Sequence, residues 1–315
     1  MGYNRGVNAQ LLGIEIGGTK LQIVTGQADG TITDRRRLAV NPAAGGEGIR
    51  RQIAENLPGL LERWKPTGIG VGFGGPVDAR SGRICRSHQI EGWDGFPLTE
   101  WLTAQTGLPA VVENDANTAA VGEARIGAGH GCDPVFYVTL GSGVGGGLAV
   151  NGAVYHGTPP GEAELGHVRL DRSGTTVESR CSGWAVDRAV RDFAAAHPAT
   201  RLANRVRSNP GSEARQLGPA LAGGDTDALR ILEAVADDLA FGLSHVVHLM
   251  HPGVIVLGGG LSLLGEPLRR AVGAALPGML MDAFEPGPEI RLAALGEDAV
   301  PRGALLLAGD SPATR

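Results

Sequence analysis

Two glycine-rich stretches decide the fold of this chain: Glu15-Ile16-Gly17-Gly18-Thr19-Lys20 and Gly141-Ser142-Gly143-Val144-Gly145-Gly146-Gly147. An apolar run of strand length comes before and after each stretch, so each predicts a β-hairpin. Glycine carries no Cβ atom, so its backbone can turn through positive φ and its N–H groups can approach an anion closely. One such turn in each half of the chain predicts two lobes that hold one polyphosphate.

The two turns have a second interpretation, in which the glycines serve only to make tight hairpins. Repetition of the turn between similar strands favours a duplicated fold instead. A cleft between duplicated halves is a common place for a ligand.

The composition is that of an ordinary globular protein, with 315 residues, 42% hydrophobic and 19% charged, and a formal net charge of -5. A weakly acidic chain has no general electrostatic attraction to nucleic acid or to an anionic membrane, so neither is an expected partner. The N-terminus lacks the apolar core of a signal peptide, and we expect a cytoplasmic protein. The three cysteines show no paired spacing, which indicates neither a disulfide framework nor a zinc ribbon.

The order of the elements predicts an α/β fold of two lobes. Hairpins come first in each half and alternating helices and strands follow, which is typical of a mixed sheet covered by helices. We predict a small N-terminal lobe at residues 1–115, completed by a C-terminal helix within 297–315, and a larger lobe at residues 116–296. The apolar patterns predict, among others, strands at 135–140, 168–170 and 254–257 and helices at 98–106, 183–195 and 225–250.

Asp115 stands where a predicted buried strand meets a helix. The carboxyl ends of strands line the ligand crevice in α/β folds, so this carboxylate is a candidate to face a substrate. Aspartate is also a preferred N-cap, and the segment alone leaves open whether Asp115 only satisfies free N–H groups of the helix.

Glu164 and His167 form a second candidate constellation, directly after the glycine-rich stretch 157–161. A structural hydrogen-bonded pair, a metal site and a grip on a polyol all remain open, although a metal would need further ligands. A third glycine turn, Gly258-Gly259-Gly260, ends a buried strand and would let backbone approach a nucleotide.

Seven motifs in this order resemble the ROK family of sugar kinases and repressors, and the likeness runs from about residue 12 to residue 307. They are Gly-Ile-Glu-Ile-Gly-Gly-Thr-Lys at 13–20, Gly-Phe-Gly-Gly-Pro-Val-Asp at 72–78, Gly-Trp-Asp-Gly-Phe-Pro-Leu at 92–98, Glu-Asn-Asp-Ala-Asn at 113–117, Leu-Gly-Ser-Gly-Val-Gly-Gly-Gly at 140–147, Glu-Leu-Gly-His at 164–167 and Leu-Gly-Gly-Gly-Leu at 257–261. The resemblance implies the two-lobed actin-like ATPase fold, a duplicated ribonuclease H-like fold, with ATP and a sugar meeting in the cleft between the lobes.

The resemblance also implies an activity, the ATP-dependent phosphorylation of a hexose hydroxyl, on glucose or a related sugar, with Asp115 as the general base. The implied substrate contacts come from Gly75, Gln89, Asn114, Glu164, His167 and Glu178. The implied nucleotide contacts come from Gly17, Gly18, Thr19, Lys20, Ser142, Gly143, Gly258, Gly259 and Gly260. Mg²⁺ is expected with ATP, near Glu15, and a homodimer is expected because dimers are usual among similar proteins.

Three departures from the family pattern bear on these expectations. The family usually has Asp where this chain has Glu15, and many members have asparagine where Gln89 stands, which bears on metal geometry and sugar preference. The family's zinc loop, Cys-x-Cys-Gly-x-x-Gly-Cys-x-Glu, is shortened here, and Thr176 replaces its last cysteine when Ser182-Gly183 is matched to the family's serine-glycine pair. We therefore expect no structural zinc, with His167 left to hydrogen-bond the sugar.

The alternative is a sugar-binding sensor that keeps the cleft but whose catalysis is impaired by the change to Glu15 and by the altered zinc loop. Repressors of the family carry a helix-turn-helix domain of several dozen residues before the first glycine turn. Only about ten residues precede that turn here, so DNA binding is not expected.

Overall fold

The computed structural model describes residues 9–87, 89–161 and 163–310. By its internal contacts the chain divides into two compact units. Unit 1 takes in residues 1–131, 147–162 and 297–315, and unit 2 takes in residues 132–146 and 163–296.

The strands and helices follow one another in the alternating order of an α/β protein. The strands are β1 (Leu11–Ile16), β2 (Lys20–Gly26), β3 (Ile32–Ala39), β4 (Ile69–Phe73), β5 (Val77–Asp78), β6 (Arg83–Ile84), β7 (Ala110–Asn114), β8 (Val135–Leu140), β9 (Val144–Val150), β10 (Ala153–Val154), β11 (Val254–Gly258) and β12 (Glu289–Leu292). The helices are α1 (Gly45–Trp64), α2 (Leu98–Thr106), α3 (Asp115–Ile126), α4 (Val177–Cys181), α5 (Gly183–Ala196), α6 (Arg201–Ser208), α7 (Leu217–Ala222), α8 (Thr226–Met250), α9 (Glu266–Ala275) and α10 (Ala299–Asp310).

The main sheet of unit 1 has the strand order β3-β2-β1-β4-β7. Strands β1, β2 and β3 pair antiparallel, whereas β1, β4 and β7 run parallel. Every residue of β4 is buried, and so is every residue of β1 except Glu15. Strands covered on both faces read as continuous apolar runs, which explains the sequences of these two. The edge strand β3 instead carries Arg35, Arg36 and Arg37, and such charges discourage pairing with another chain.

Helices α1 and α10 pack against this sheet through apolar stripes. Helix α1 buries Ile49, Ile53, Leu57 and Leu60, which recur every three or four residues and so share one face. Helix α10 lies so close to β4 that a Cβ atom at Gly70 would be 1.9 Å from the carbonyl oxygen of Ala304. Glycine at this position therefore sets how closely helix and sheet approach.

The second sheet has the strand order β10-β9-β8-β11-β12. In unit 2, β8, β11 and β12 run parallel, and all five residues of β11 are buried. The 25-residue helix α8 begins at an N-cap, Asp225, whose side chain accepts hydrogen bonds from the backbone N–H groups of Asp227 and Ala228. Ser182 caps α5 in the same way through the N–H group of Ala185.

The compact units divide the chain differently from the lobes predicted at 1–115 and 116–296. Helix α3, which follows residue 115, belongs to unit 1 because it packs on α10 and on β10. The segment from residue 297 also belongs to unit 1, where α10 contacts β1 and β4. None of the helices in the described part of the chain has the length and apolar character needed to span a membrane.

We expect Gly70→Ala to destabilise the protein by about 2 kcal/mol or more, because overpacking against backbone forces the helix and the sheet apart. The mid-point of thermal unfolding should fall by several degrees, which differential scanning calorimetry measures. Gly59→Ala is the matched control, since Gly59 is an exposed position inside α1. Alanine there should stabilise the helix by up to about 1 kcal/mol. Equal melting temperatures for Gly70→Ala and the wild type would contradict the packing argument.

Candidate active site

Three parallel strands of unit 1 end side by side at the residues that the sequence singles out. The register pairs Ile16 of β1 with Phe73 of β4, and Phe73 with Asn114 of β7. The next residues along the chain are the first glycine turn, Gly74-Gly75 and Asp115. Because the carboxyl ends of parallel strands meet at one edge, the structure brings these loops together.

Hydrogen bonds join the three loops directly. The N–H group of Gly74 donates to the carbonyl oxygen of Ile16 at 2.8 Å, and Nδ2 of Asn114 donates to the carbonyl oxygen of Gly75 at 3.1 Å. A Cβ atom at Gly74 would lie 3.5 Å from Oδ2 of Asp115. The predicted site residues Gly75, Asn114 and Asp115 therefore form one bonded group beside the turn.

Asn114, and not Asp115, is the N-cap of α3. Its Oδ1 atom accepts hydrogen bonds from the N–H groups of Ala116 at 2.8 Å and of Asn117 at 3.2 Å. Asp115 is the first residue of the helix and is half-buried, and its Oδ1 atom accepts from the N–H group of Ala116. The cap role that competed with a substrate-facing role for Asp115 thus belongs to its neighbour.

The first glycine turn closes through a hydrogen bond from the N–H group of Gly17 to the carbonyl oxygen of Lys20, at 2.9 Å. Gln89 lies against this turn, because a Cβ atom at Gly18 would fall 1.7 Å from Oε1 of Gln89. Thr19 at the tip is exposed. The structure therefore places Gln89, a predicted sugar contact, beside the predicted phosphate turn.

Glu15 is enclosed by two donors at the start of the same turn. Nζ of Lys20 lies 3.1 Å from its Oε1 atom, and Nε2 of Gln22 donates to its Oε2 atom at 2.6 Å. Burial raises the pKa of Glu15, and the positive charge of Lys20 opposes that rise.

Glu15 also decides how well unit 1 fits a magnesium ion. Mg²⁺ prefers oxygen ligands and is often held by one or two carboxylates together with substrate phosphates. Within residues 9–87, 89–161 and 163–310, no group of three or more His, Cys, Asp or Glu side chains lies together in a way that could hold a metal ion. Both carboxylate oxygens of Glu15 have a partner, Lys20 for one and Gln22 for the other, so a magnesium ion beside this turn would be held mainly by phosphates.

The second glycine turn, in unit 2, is held by Glu178. Oε2 of Glu178 accepts a hydrogen bond from the N–H group of Val144 at 3.0 Å, and a Cβ atom at Gly143 would lie 2.5 Å from the same oxygen. The N–H group of Gly183 donates to the carbonyl oxygen of Gly141 at 2.7 Å. Ser142 is exposed at the tip. The structure thus brings Ser142 and Gly143, predicted for the nucleotide, close to Glu178, predicted for the sugar.

The third glycine turn follows β11 at the same edge of the sheet, because Gly258 pairs with Thr139 near the end of β8. Gly259 has a φ of +80°, which side chains rarely adopt, and a Cβ atom there would lie 2.6 Å from the backbone nitrogen of Leu140. A Cβ atom at Gly260 would contact no neighbouring group within 4 Å. This turn therefore needs glycine for backbone reasons, whether or not a nucleotide binds there.

Glu164 directly precedes a short 3-10 turn, Leu165–His167, of which His167 is the last residue, and both residues are exposed. The N–H group of His167 donates to the carbonyl oxygen of Glu164 at 3.1 Å. Gly166, between them, packs on the second glycine turn, since a Cβ atom there would lie 2.2 Å from the carbonyl oxygen of Val144. The two polar side chains are therefore presented outward from a turn that is packed on its inner side.

Asp171 organises the loop that leads from His167 to Glu178. Its Oδ1 atom accepts hydrogen bonds from the N–H groups of Ser173, Gly174 and Thr175 and from the hydroxyl of Ser173. Hydrogen bonds from Thr175 and Ser173 hold the pKa of Asp171 well below its usual range. Hydrogen bonds to the carboxylate of Asp171 thus organise the loop that matches the family's zinc loop.

Thr176, where the family pattern has its last zinc cysteine, caps the helix that carries Glu178. Its hydroxyl accepts from the N–H group of Ser179, and the hydroxyl of Ser179 accepts from the N–H group of Thr176, which together form a capping box. The loop before α4 and the start of α4 are therefore both organised by polar side chains.

Two carboxylates with structural roles, Asp171 and Glu113, were not predicted from the sequence as functional residues. Asp171 precedes Arg-Ser-Gly, and an aspartate followed by serine and glycine is a signal for a turn that the side chain closes. Glu113 stands in an otherwise apolar strand, and a charged residue there indicates a partner elsewhere in the chain.

The chain belongs to the ROK family, which it matches over residues 11–311. It is similar to a glucokinase of Halalkalibacterium halodurans, with 31% identity over 302 residues that cover 91% of each chain. It is also similar to a glucokinase of Thermotoga maritima, with 30% identity over 303 residues that cover 94% of this chain and 96% of the relative.

A solved structure with the same fold is a ROK family glucokinase from Streptomyces griseus in complex with glucose and AMPPNP. It is 31% identical, superposes with a TM-score of 0.83, and the match covers 96% of this chain and 100% of that one. A ROK hexokinase from Thermus thermophilus, 30% identical, matches with a TM-score of 0.74 over 95% of this chain and 97% of that one. The predicted family and the predicted actin-like ATPase fold are therefore confirmed.

We expect Asp171→Ala to loosen the loop before α4, because the variant loses the acceptor of four hydrogen bonds. Amide hydrogen exchange at residues 173–178, measured by mass spectrometry, should become at least about tenfold faster. Asp171→Asn keeps Oδ1 and should lie between the two. Asp192→Ala, which removes an exposed carboxylate from α5 of the same unit, is the control and should leave the segment unchanged. Unchanged exchange in Asp171→Ala would show that the carboxylate does not organise the loop.

Proposed function

We propose that this chain transfers the terminal phosphoryl group of ATP to a hydroxyl of a hexose. The observation that carries the proposal is the half-buried carboxylate of Asp115, which lies at the aligned strand ends of unit 1 beside Gly75, Asn114 and the first glycine turn. Glucokinases that cover nine tenths of the chain, and a solved relative that holds glucose with an ATP analogue, support it.

Asp115 acts in this proposal as the general base. Phosphoryl transfer has a loose transition state, so positioning and electrostatic stabilisation supply most of the catalysis. The carboxylate orients the attacking hydroxyl and accepts its proton, an effect typically worth about 10²- to 10⁴-fold in rate. Because Asn114 caps α3, the position of the base is set by the helix start that it belongs to.

We propose that the nucleotide contacts three glycine turns of the chain. In the first turn, Gly17, Gly18 and Thr19 lie along the phosphates, with the N–H groups of Gly18 and Thr19 as donors because that of Gly17 donates to Lys20, and with Lys20 as the nearby cation. Ser142 and Gly143 contribute from the second turn, and the turn of Gly258, Gly259 and Gly260 accommodates the adenosine. Glu15, 3.1 Å from Lys20, restrains that ammonium group at the turn.

We propose that the sugar binds the backbone of Gly75 and the polar side chains of Gln89 and Asn114, which can hydrogen-bond individual hydroxyls. The further proposed sugar contacts are the side chains of Glu164, His167 and Glu178. Glucose is the first acceptor to test, because the relatives named above are glucokinases. A polar site of this kind rejects sugars that lack a hydroxyl it is built to bind.

Mg²⁺ is the proposed cofactor, with Glu15 as the protein carboxylate near it. When bound, the ion neutralises negative charge on the phosphate oxygens of ATP. The chain's own task there is to hold Lys20 and the first turn in place through the carboxylate of Glu15 and the amide of Gln22.

We further propose that the enzyme is a cytoplasmic homodimer that carries no structural zinc and binds no nucleic acid. Asp171 and the capping box of Thr176 and Ser179 support the proposed absence of zinc, because hydrogen bonds to these side chains organise the loop. Native mass spectrometry of the purified protein tests two of these points at once. The expected species has twice the chain mass and no bound zinc, and a monomer or a tightly held zinc ion would contradict the respective point.

We expect Asp115→Asn to lower kcat by about 10²- to 10⁴-fold while the Kd for the sugar changes only a few-fold, because the amide keeps the shape but accepts no proton. Coupled detection of ADP gives kcat, and calorimetric titration with glucose gives Kd. Asp29→Asn, at an exposed turn of unit 1, is the matched control and should retain wild-type turnover.

Near-normal turnover of Asp115→Asn would refute the role of Asp115. A wild-type protein that binds a hexose but releases no ADP with any hexose of a panel would instead favour the sugar-binding sensor.

A further inference from the structure

Glu113, the residue before Asn114 and Asp115, is a buried carboxylate that the proposed mechanism does not use. Its side chain is 4% exposed, and three groups of unit 1 surround it. Oε1 accepts hydrogen bonds from the N–H group of Asn114 at 2.9 Å and from Nδ2 of Asn117 at 3.1 Å. Oε2 lies 2.6 Å from Nε2 of His156.

Two of these contacts are to residues on either side of Asp115 in the chain. The bond to Asn114 fixes the peptide group that enters the helix, and the bond to Asn117 fixes a side chain two residues beyond Asp115. Asn117 is itself 1% exposed, so its amide has little freedom. Glu113 therefore restrains one residue before and one residue after Asp115 in the chain.

His156 is the hydrogen-bond partner of Oε2 in this buried carboxyl group. A buried polar group that loses its hydrogen-bond partner costs free energy, because its desolvation is no longer compensated. The imidazole of His156 is 38% exposed, so its replacement removes little buried surface. Its replacement therefore tests the pairing more than the packing.

The pair also anchors the segment through which the chain leaves unit 1. His156 follows β10, which packs against α3, and Nε of Arg125 in α3 donates to the carbonyl oxygen of Gly152 just before β10 at 2.6 Å. The chain enters unit 2 at residue 163, directly before Glu164. The contact between residues 113 and 156 thus ties the helix start to the segment that leads toward a proposed sugar residue.

The start of α3 has other supports that do not involve Glu113. Asn114 caps the helix, and Oγ1 of Thr118 donates to the carbonyl oxygen of Asn114 at 2.7 Å. The helix does not need a third device to begin at this residue. The Glu113 network adds a restraint on direction to a helix start that is already capped.

We propose that Glu113 and His156 form a positioning pair that orients Asp115 toward the acceptor hydroxyl. The proposal rests on the proposed function, the phosphorylation of a hexose. Both residues act through Asn114, Asp115 and Asn117 and are positioning residues.

The test compares His156→Ala with His156→Gln by steady-state kinetics with glucose and ATP. His156→Ala should lower kcat about tenfold while the KM for ATP stays within about twofold, because a misaligned base slows the reaction without weakening nucleotide binding. His156→Gln keeps an N–H donor for Glu113 and should recover most of the lost kcat. His197→Ala, which removes a histidine stacked on Phe193 in unit 2, is the matched control and should keep wild-type kinetics.

A second measurement keeps the inference separate from the activity. Amide hydrogen exchange at residues 114–117, without ligands, should be at least about fivefold faster in His156→Ala than in the wild type. An unchanged kcat in His156→Ala, or a His156→Gln variant no better than His156→Ala, would overturn the positioning role. If the wild type phosphorylates no hexose, the proposed function fails, and unchanged exchange would then overturn the restraint as well.

Discussion

The parallel register of β1, β4 and β7 is the constraint on which the rest of unit 1 depends. The register aligns Ile16, Phe73 and Asn114, so the three following loops leave the sheet at one edge. The loop after β1 is the first glycine turn, and the loop after β4 is the Gly74-Gly75 pair. The residue after β7 is Asp115, which supplies a carboxylate. Close packing of α10 on Gly70 keeps these strands in place, because neither partner can shift without a backbone clash.

In unit 2, parallel strands again end in glycine turns at one edge of the sheet, but different side chains restrain those turns. The pairing of Gly258 with Thr139 brings the ends of β11 and β8 to one edge, where both continue into glycine turns. The charged group that secures the second turn is Glu178, whose carboxylate accepts a hydrogen bond from the N–H group of Val144. Unit 1 secures its turn with Glu15 and Lys20 instead. The repeat visible in the sequence is therefore a repeat of strand and turn geometry, while the polar restraints differ between the units.

Much of this could be predicted from the sequence, because glycine turns and apolar periodicity are local signals. Helix α2 has the predicted bounds, 98–106. The strand predicted at 168–170 was wrong: only Arg169 forms an isolated bridge, to Thr176, because Asp171 gathers the following amides into a turn. The pairing of Glu113 with His156 could not be predicted, since 43 residues separate them and no periodic pattern joins them.

The glutamate at position 15 shows how a departure from a family pattern can be accommodated locally. A carboxylate on a longer side chain reaches Lys20 with one oxygen and Gln22 with the other. Gln22 is fully buried, and its Oε1 atom accepts from Nε of Arg37 at 3.0 Å, while Arg37 pairs with Glu297 at 3.3 Å. Burial alone would favour the protonated acid, so the donors around Glu15 are what favour its charge. The cation beside the first turn is therefore held by a network that extends across β2 and β3 to the C-terminal segment of unit 1.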